Sequence, residues 1–255
     1  MMHTLTFVEI GIIGFLAQII DGTLGMGYGV TSSALLISTG ISPVIASATV
    51  HTSEIFVSFV SGISHFKFGN VRRDLIWPLV SFGVIGGIIG ALGLVKFPVK
   101  QIKIVVGLVL LSMGLLILYR FIYSKNKTNL SKLKIYSPNK LKILGFCAAF
   151  IDAVGGGGWG PICTPALIMT GTVPNKAVGS VDLAEFFITL AISATFYVLI
   201  GFGDFSWEVI LALLVGGGLG APTAAFVCGK LPKRLLGLLV AITVILLSCR
   251  ILILR

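Results

Sequence analysis

The chain has 255 residues, of which 56% are hydrophobic and only 11% charged, and its mean hydropathy is +1.07. A soluble domain carries roughly 25% charged residues, so the composition excludes a soluble domain and indicates a polytopic helical membrane protein. The net charge of +10 does not indicate nucleic-acid binding: seven of the nineteen basic residues crowd between Arg120 and Lys142, with no aromatic-interleaved basic surface beside them.

In chain order, the N-terminal Met-Met-His-Thr-Leu-Thr-Phe-Val-Glu lacks a basic region and a small-residue cleavage site, so no removable signal peptide is expected. Two short apolar arms follow, about 5–20 and 25–38, separated by a glycine-dense stretch. Apolar runs near 44–66, 75–95 and 102–122 then approach the ~20 residues that cross a bilayer. The polar segment 124–140 interrupts them. A second glycine-dense stretch and runs near 177–200, 209–229 and 235–253 complete the chain. Cys147, Cys163, Cys228 and Cys249 lie scattered in apolar sequence without paired spacing and read as packing residues.

The two halves carry one pattern. Residues 20–30 read Ile-Asp-Gly-Thr-Leu-Gly-Met-Gly-Tyr-Gly-Val, and residues 151–161 read Ile-Asp-Ala-Val-Gly-Gly-Gly-Gly-Trp-Gly-Pro. Asp21 aligns with Asp152, Gly25 with Gly156, Gly27 with Gly158, Tyr28 with Trp159 and Gly29 with Gly160. At the same offset of 131, Thr39-Gly40, Pro43 and Glu54 match Thr170-Gly171, Pro174 and Glu185. After a three-residue insertion, Asp74 matches Glu208 and Pro98 matches Pro232. Glycine matches are cheap in such a composition; acids and prolines in one register are not. The expected organisation is a single membrane domain with repeat 1 over about 5–123, a basic linker over about 124–140 and repeat 2 over about 141–255. Each repeat is expected to hold a glycine-broken helix hairpin and about three transmembrane helices. The shortness of the arms favours inverted topology. So does basic-residue placement, which then puts fourteen Lys and Arg on the linker side and five on the other. The linker is accordingly expected in the cytoplasm and the domain in the plasma membrane.

Five of the nine acids fall inside the apolar segments: Asp21, Glu54, Asp152, Asp182 and Glu185. A charge at mid-bilayer costs roughly 2.5–3.5 kcal/mol on insertion scales, so such residues face a bundle interior and mark function. Ser47, His51, Glu54, Ser58 and Ser61 recur at spacings of four, three, four and three, one narrow helical face. Asp182, Glu185 and Thr189 form the matching stripe, which sets Asp182 in the place of His51. Asp21 and Asp152 can cap the arms that follow them. The glycines Gly83, Gly86, Gly87 and Gly90, and those from Gly216 to Gly220, read as close helix packing. Broken helices in matching positions of two halves point to a transporter's binding site.

The doubled Asp-plus-glycine motif, the Thr-Gly-x-x-Pro after it, the intramembrane Glu and the basic mid-chain linker together resemble the TauE/SafE sulfite-exporter family over essentially the whole chain. The resemblance implies a secondary transporter, not an enzyme, that moves sulfite, a sulfonate or a similar small sulfur-containing anion outward with proton or ion coupling. The expected substrate site joins Asp21, Gly25, Gly27, Tyr28, Gly29, Thr31 and Ser32 to Asp152, Gly156, Gly157, Gly158, Trp159, Gly160 and Thr164, with Ser33 as a further hydroxyl donor. His51, Glu54, Asp182 and Glu185 are expected to couple protons. No buried Lys or Arg stands out as a counter-ion. No cofactor or resident metal is expected, and the partners are a small anion, the lipid bilayer and, as a homodimer, a second copy of the chain. Two other readings remain open: a divalent cation transporter using Asp21, Asp152, Glu54 and Glu185, and a membrane-embedded hydrolase using His51, Glu54 and Asp182.

Overall fold

A computed structural model describes residues 6–96, 99–123, 137–228, 230 and 233–253. Residues 124–136 of the linker, and with them the expectation that it faces the cytoplasm, lie outside the described residues. The described chain is helical throughout, without a strand. In order it forms α1 (Phe7–Leu24), α2 (Tyr28–Ser38), α3 (Pro43–Lys67), α4 (Arg73–Lys96) and α5 (Val99–Tyr123). After the linker come α6 (Pro138–Gly155), α7 (Trp159–Met169), α8 (Pro174–Ile200), α9 (Trp207–Val227) and α10 (Lys233–Ile253). Among the described residues, six stretches are long and apolar enough to cross a membrane. The helix lengths run 18, 11, 25, 24, 25 before the linker and 18, 11, 27, 21, 21 after it.

Local chemistry accounts for the boundaries. Thr6 and Glu9 close a capping box at the start of α1. Pro43, Pro138 and Pro174 occupy first-turn positions of α3, α6 and α8, where the missing N–H has no intrahelical partner to lose. The Thr-Gly-x-x-Pro sequence is a stop-turn-start device. Gly40 and Gly171 sit at φ 102° and 95°, and their amides return to the Ile37 and Ile168 carbonyls at 3.0 Å. The proline three residues on then opens the next helix.

One boundary differs from the sequence expectation. The first arm does not end near residue 20 but continues to Leu24, so Asp21 lies in the last turn of α1. At about 1.5 Å per residue α1 is ~27 Å long and α2 only ~16 Å. The reason is that the helix needs a left-handed residue to stop. Gly25, at φ 69°, supplies it, with its amide on the Asp21 carbonyl at 2.5 Å. Gly156, at φ 67° on Asp152 O, does the same for α6.

The halves are interlocked. α1 packs along α9, α6 along α4, α3 against α8 and α5 against α10. Glycines let these backbones meet. An added Cβ at Gly90 would stand 2.6 Å from Phe150 O and one at Gly14 3.0 Å from Leu213 O; Gly86, Gly145 and Gly216 abut backbone still more closely. Large apolar side chains such as Leu108, Leu116, Leu219 and Leu246 are exposed on the outside, as a lipid-facing surface requires.

Candidate functional site

The two glycine breaks touch. The Thr164 hydroxyl of α7 donates to Gly25 O at 2.8 Å, and the Ser33 hydroxyl of α2 donates to Gly156 O at 2.5 Å. Each half thus satisfies the carbonyl that the other half's break leaves without a helical partner. Glycine permits the contact: a Cβ on Gly29 would lie 2.9 Å from Gly157 Cα and 3.0 Å from Gly156 O, and one on Gly160 2.6 Å from Gly25 O. Asp21–Gly29 and Asp152–Gly160, 131 residues apart in the chain, form one junction.

Each break is organised by its acid. Asp21 Oδ1 accepts the Tyr28 amide at 3.3 Å, and Asp152 Oδ1 accepts the Trp159 amide at 3.2 Å. Both acids therefore cap the first residue of the helix beyond the break, as one option of the sequence reading had it. The remaining first-turn amides of α2, those of Gly29 and Val30, have no intrahelical acceptor, because the ladder begins with Thr31 N to Gly27 O at 3.0 Å. In α7, Pro161 removes one such donor, so α2 offers the better anion cradle. The Thr31 and Ser32 hydroxyls beside it are buried without a hydrogen bond.

The stripe of α3 runs past this junction. Ser47 Oγ donates to Ala153 O at 2.7 Å. His51 Nδ1 lies 2.8 Å from Ser47 O, and Nε2 lies 3.2 Å from Asp152 Oδ2. A carbonyl only accepts, so Nδ1 is the donor toward Ser47 O, and Nε2 is left facing the Asp152 carboxyl. Glu54 is buried at 3% exposure; a Cβ on Gly29 would sit 2.9 Å from its Oε1, and its Oε2 has no hydrogen-bond partner. Asp182 and Glu185 of α8 lie instead with Asp21: the three carboxyls bring oxygens within 4.8 Å of one another. Of the coupling residues of the sequence reading, His51 therefore lies at the second break, Asp182 and Glu185 lie at the first, and Glu54 lies against Gly29 beside the contact between them.

Several candidates are committed to protein. The Tyr28 hydroxyl lies 3.2 Å from Ser53 Oγ and donates to Leu213 O at 3.1 Å, and the Trp159 indole donates to Val181 O at 3.0 Å. Both rings are buried and tie the breaks to α9 and α8. Gly27 faces Ile20 and Val240, and Gly158 faces Ile151 and Asp152 of its own half, so neither takes part in the cross-contact.

Two residues were missed by sequence reasoning. Arg120, counted with the linker's charges, is half-buried, and its guanidinium reaches Met26 Sδ at 3.7 Å, between Gly25 and Gly27. No ion pair among the described residues engages it. No Lys or Arg is among the buried residues described, as expected, yet this half-buried one comes close, because a long side chain at the end of α5 turns back along its helix, as helical side chains do. The signal was its position inside the apolar run 102–122. His65 is the second. It is fully buried, with Nε2 3.5 Å from Asp182 Oδ2. It continues the α3 stripe by one more step of four from Ser61, which donates to Asp182 Oδ2 at 2.6 Å.

Residues 10–251 match the family model described as sulfite exporter TauE/SafE. The chain is 43% identical over 243 residues to the "Probable membrane transporter protein YtnM" of Bacillus subtilis, covering 94% of this chain and 81% of that protein. It is 27% identical over 225 residues to the "Probable membrane transporter protein YdhB" of the same organism, covering 87% and 90%. An 81-residue stretch is 40% identical to a "Probable membrane transporter protein" of Haemophilus influenzae, 30% of each chain. No solved structure matches. With ten helices among its described residues, two glycine breaks that meet at one junction, and a family match over residues 10–251, the chain belongs to the TauE/SafE family of membrane transporters.

Proposed function

We propose that the chain exports a small sulfur-containing oxyanion, sulfite or a small sulfonate, across the plasma membrane, with ion coupling, from a site at the junction of the two breaks. The observation that carries the reading is the junction itself. Two helix N-termini, their partial positive charge and their unpaired first-turn amides meet where the backbone is irregular and enclosed by protein. Thr31 and Ser32 add hydroxyls without partners, and Arg120 adds a fixed positive charge beside Met26. The family and the relatives' names support transport, and the family description supports sulfite.

Two capping carboxylates at the same place oppose an anion, so Asp21 and Asp152 need neutralising when it binds. In this reading a proton taken up between His51 and Asp152, 3.2 Å apart, does this at the second break, and Glu54 takes up another as the anion arrives at Gly29. Inverted repeats, with residues 124–136 in the cytoplasm, complete the proposal and let the halves rock about the junction.

The test is a thermal-unfolding and efflux series with purified protein in detergent and in liposomes. Sulfite and methanesulfonate should stabilise the protein saturably, acetate should not, and preloaded sulfite should leave the liposomes faster than from protein-free ones. Absence of both stabilisation and efflux for every sulfur oxyanion would overturn the reading. The alternative of a divalent cation as cargo predicts movement of that cation with no anion present.

A further inference from the structure

The polar stripe of α3 faces the junction; its opposite side does not. α3 packs against α8 and α9, and a strip between those contacts stays exposed. Phe56, Phe59 and Phe66 lie exposed on it and Ile63 half-buried, at spacings of three, four and three, which is one helical face. Phe56 borders Gly218 of α9, and the Phe59 ring meets Phe186 of α8 at 5.2 Å. At 1.5 Å per residue the strip from Phe56 to Phe66 is ~15 Å long, half of the ~30 Å hydrocarbon core and so one leaflet deep. It ends in cations set on aromatic rings. Arg73 Cζ lies 4.9 Å from the centroid of the Phe66 ring, and Lys230 Nζ lies 4.0 Å from that of Phe226, which meets Phe68 at 5.7 Å. Lys67 stands between the two phenylalanines of α3's end. All three cations and all three rings are exposed. No ion pair among the described residues engages Lys67, Arg73 or Lys230, and Asp74, next to Arg73, is held by Arg72. Lys176, at the same end, is spent on the Gly69 carbonyl. Cations without counter-ions above an apolar strip one leaflet deep complement a molecule with a negative head and a long apolar tail.

We infer that this face of α3 is a binding site for an anionic phospholipid, whose phosphate sits among Lys67, Arg73 and Lys230 and whose acyl chain lies along Phe66, Ile63, Phe59 and Phe56. The rings do two things. They present apolar surface to the chain, and they hold Arg73 and Lys230 down at the depth of the headgroup instead of leaving them extended into water. A zwitterionic headgroup brings an ammonium or choline of its own, which repels the same three cations, so the charge pattern selects a net negative lipid. A neighbouring transmembrane helix fits less well, because such contacts use small residues that let backbones approach, and this strip presents phenylalanines. The occupied site ties the end of α3 to the start of α4 through Arg73 and to the end of α9 through Phe226. α3 carries His51 and Glu54 on its buried side, so the lipid braces the helix that lines the junction. The site is independent of what the transporter carries.

The experiment melts delipidated protein in detergent micelles while dioleoylphosphatidylglycerol, dioleoylphosphatidylcholine or glycerol 3-phosphate is added. Phosphatidylglycerol is expected to raise the melting temperature saturably, phosphatidylcholine at the same mole fraction far less, and glycerol 3-phosphate not at all. Arg73→Gln and Lys230→Gln should each raise the half-saturating fraction of phosphatidylglycerol about fivefold, and together roughly 25-fold, the worth of single basic residues at an anionic membrane surface. Lys142→Gln removes a charge that also lies over a ring, that of Phe82 at 5.5 Å, but on the α4–α6 face, and should leave the response as it is. Native mass spectrometry counts the phosphatidylglycerol retained by each protein, with fewer lipids expected on the double variant, so the comparison holds even where a variant melts lower without lipid. No response to phosphatidylglycerol, an equal response to phosphatidylcholine, or equal weakening in Lys142→Gln overturns the site. The same lipid count on the double variant and the wild type overturns its placement. A response to glycerol 3-phosphate matching that to the lipid overturns the acyl strip and leaves a site for free phosphate.

Discussion

The crossed hydroxyl bonds of the junction can be measured one at a time. Thr164→Val keeps the shape of the side chain that packs against Gly25, where an added Cβ would meet Thr164 Cγ2 at 2.9 Å, and removes only the 2.8 Å bond to Gly25 O. Interhelical hydrogen bonds in membranes average ~0.6 kcal/mol and reach about 1.7, because the disrupted state finds other partners. Gly25 O has few: it lies at a helix end with its ladder donor gone and is enclosed by protein. A value near the upper limit, ~1–2 kcal/mol, is therefore expected for Thr164→Val, and the same for Ser33→Ala at Gly156. The two bonds hold one junction, so the double variant should depart from additivity by at least ~0.5 kcal/mol. Reversible unfolding in mixed micelles measures the cycle, and the junction variants should lose anion binding in parallel. Single effects below ~0.3 kcal/mol, or strict additivity with full anion binding retained, would refute the idea that these hydroxyls pin the two halves together.

Other outcomes follow from the same geometry. Arg120→Gln should weaken binding of sulfite about 10–100-fold at unchanged melting temperature, from the ~1.5–3 kcal/mol of charge-assisted hydrogen bonding that it removes; affinity equal to wild type would remove Arg120 from the site. Gly25→Ala should abolish folded protein or lower its melting point sharply, since φ 69° is strained for alanine and the Thr164 hydroxyl is 2.5 Å from the new Cβ. Gly158→Ala, at an extended φ of −179° with its nearest neighbour at 3.1 Å, should be far milder, and size-exclusion profiles of the pair check the ranking.

Much of the fold was legible because its determinants are local. Apolar run length announced the spans and the doubled glycine stretches announced the breaks, whereas the stops at Gly25 and Gly156 and the starts at Pro43 and Pro174 are set by backbone geometry that the pattern alone did not place. The acids and glycines of the two breaks stood in register. The site was legible only in outline, since its pairings cross between halves. Nothing local to Asp182 shows that it stands beside Asp21 rather than Asp152, and nothing local to His65 shows that it reaches Asp182. Arg120 was hidden by its neighbours in sequence, a run of solvated linker charges, although its side chain turns back into the bundle. Tyr28 and Trp159 misled in the opposite sense. An aromatic beside a glycine break suggests a ligand contact, whereas their polar atoms are spent on α9 and α8.

The pairing of α1 with α9 has a consequence for biogenesis. α1 leaves the ribosome first, with Asp21 already in its last turn, yet the helix that covers it ends at Val227, some two hundred residues later. α4 likewise waits for α6. Neither half can bury its own small-residue faces, so the nascent chain must hold Gly11, Gly14 and an acid against lipid or a chaperone until the far half arrives. A chain truncated before α9 should be a substrate for membrane proteolysis rather than half a transporter, and two separately synthesised halves should find each other by the same crossed contacts.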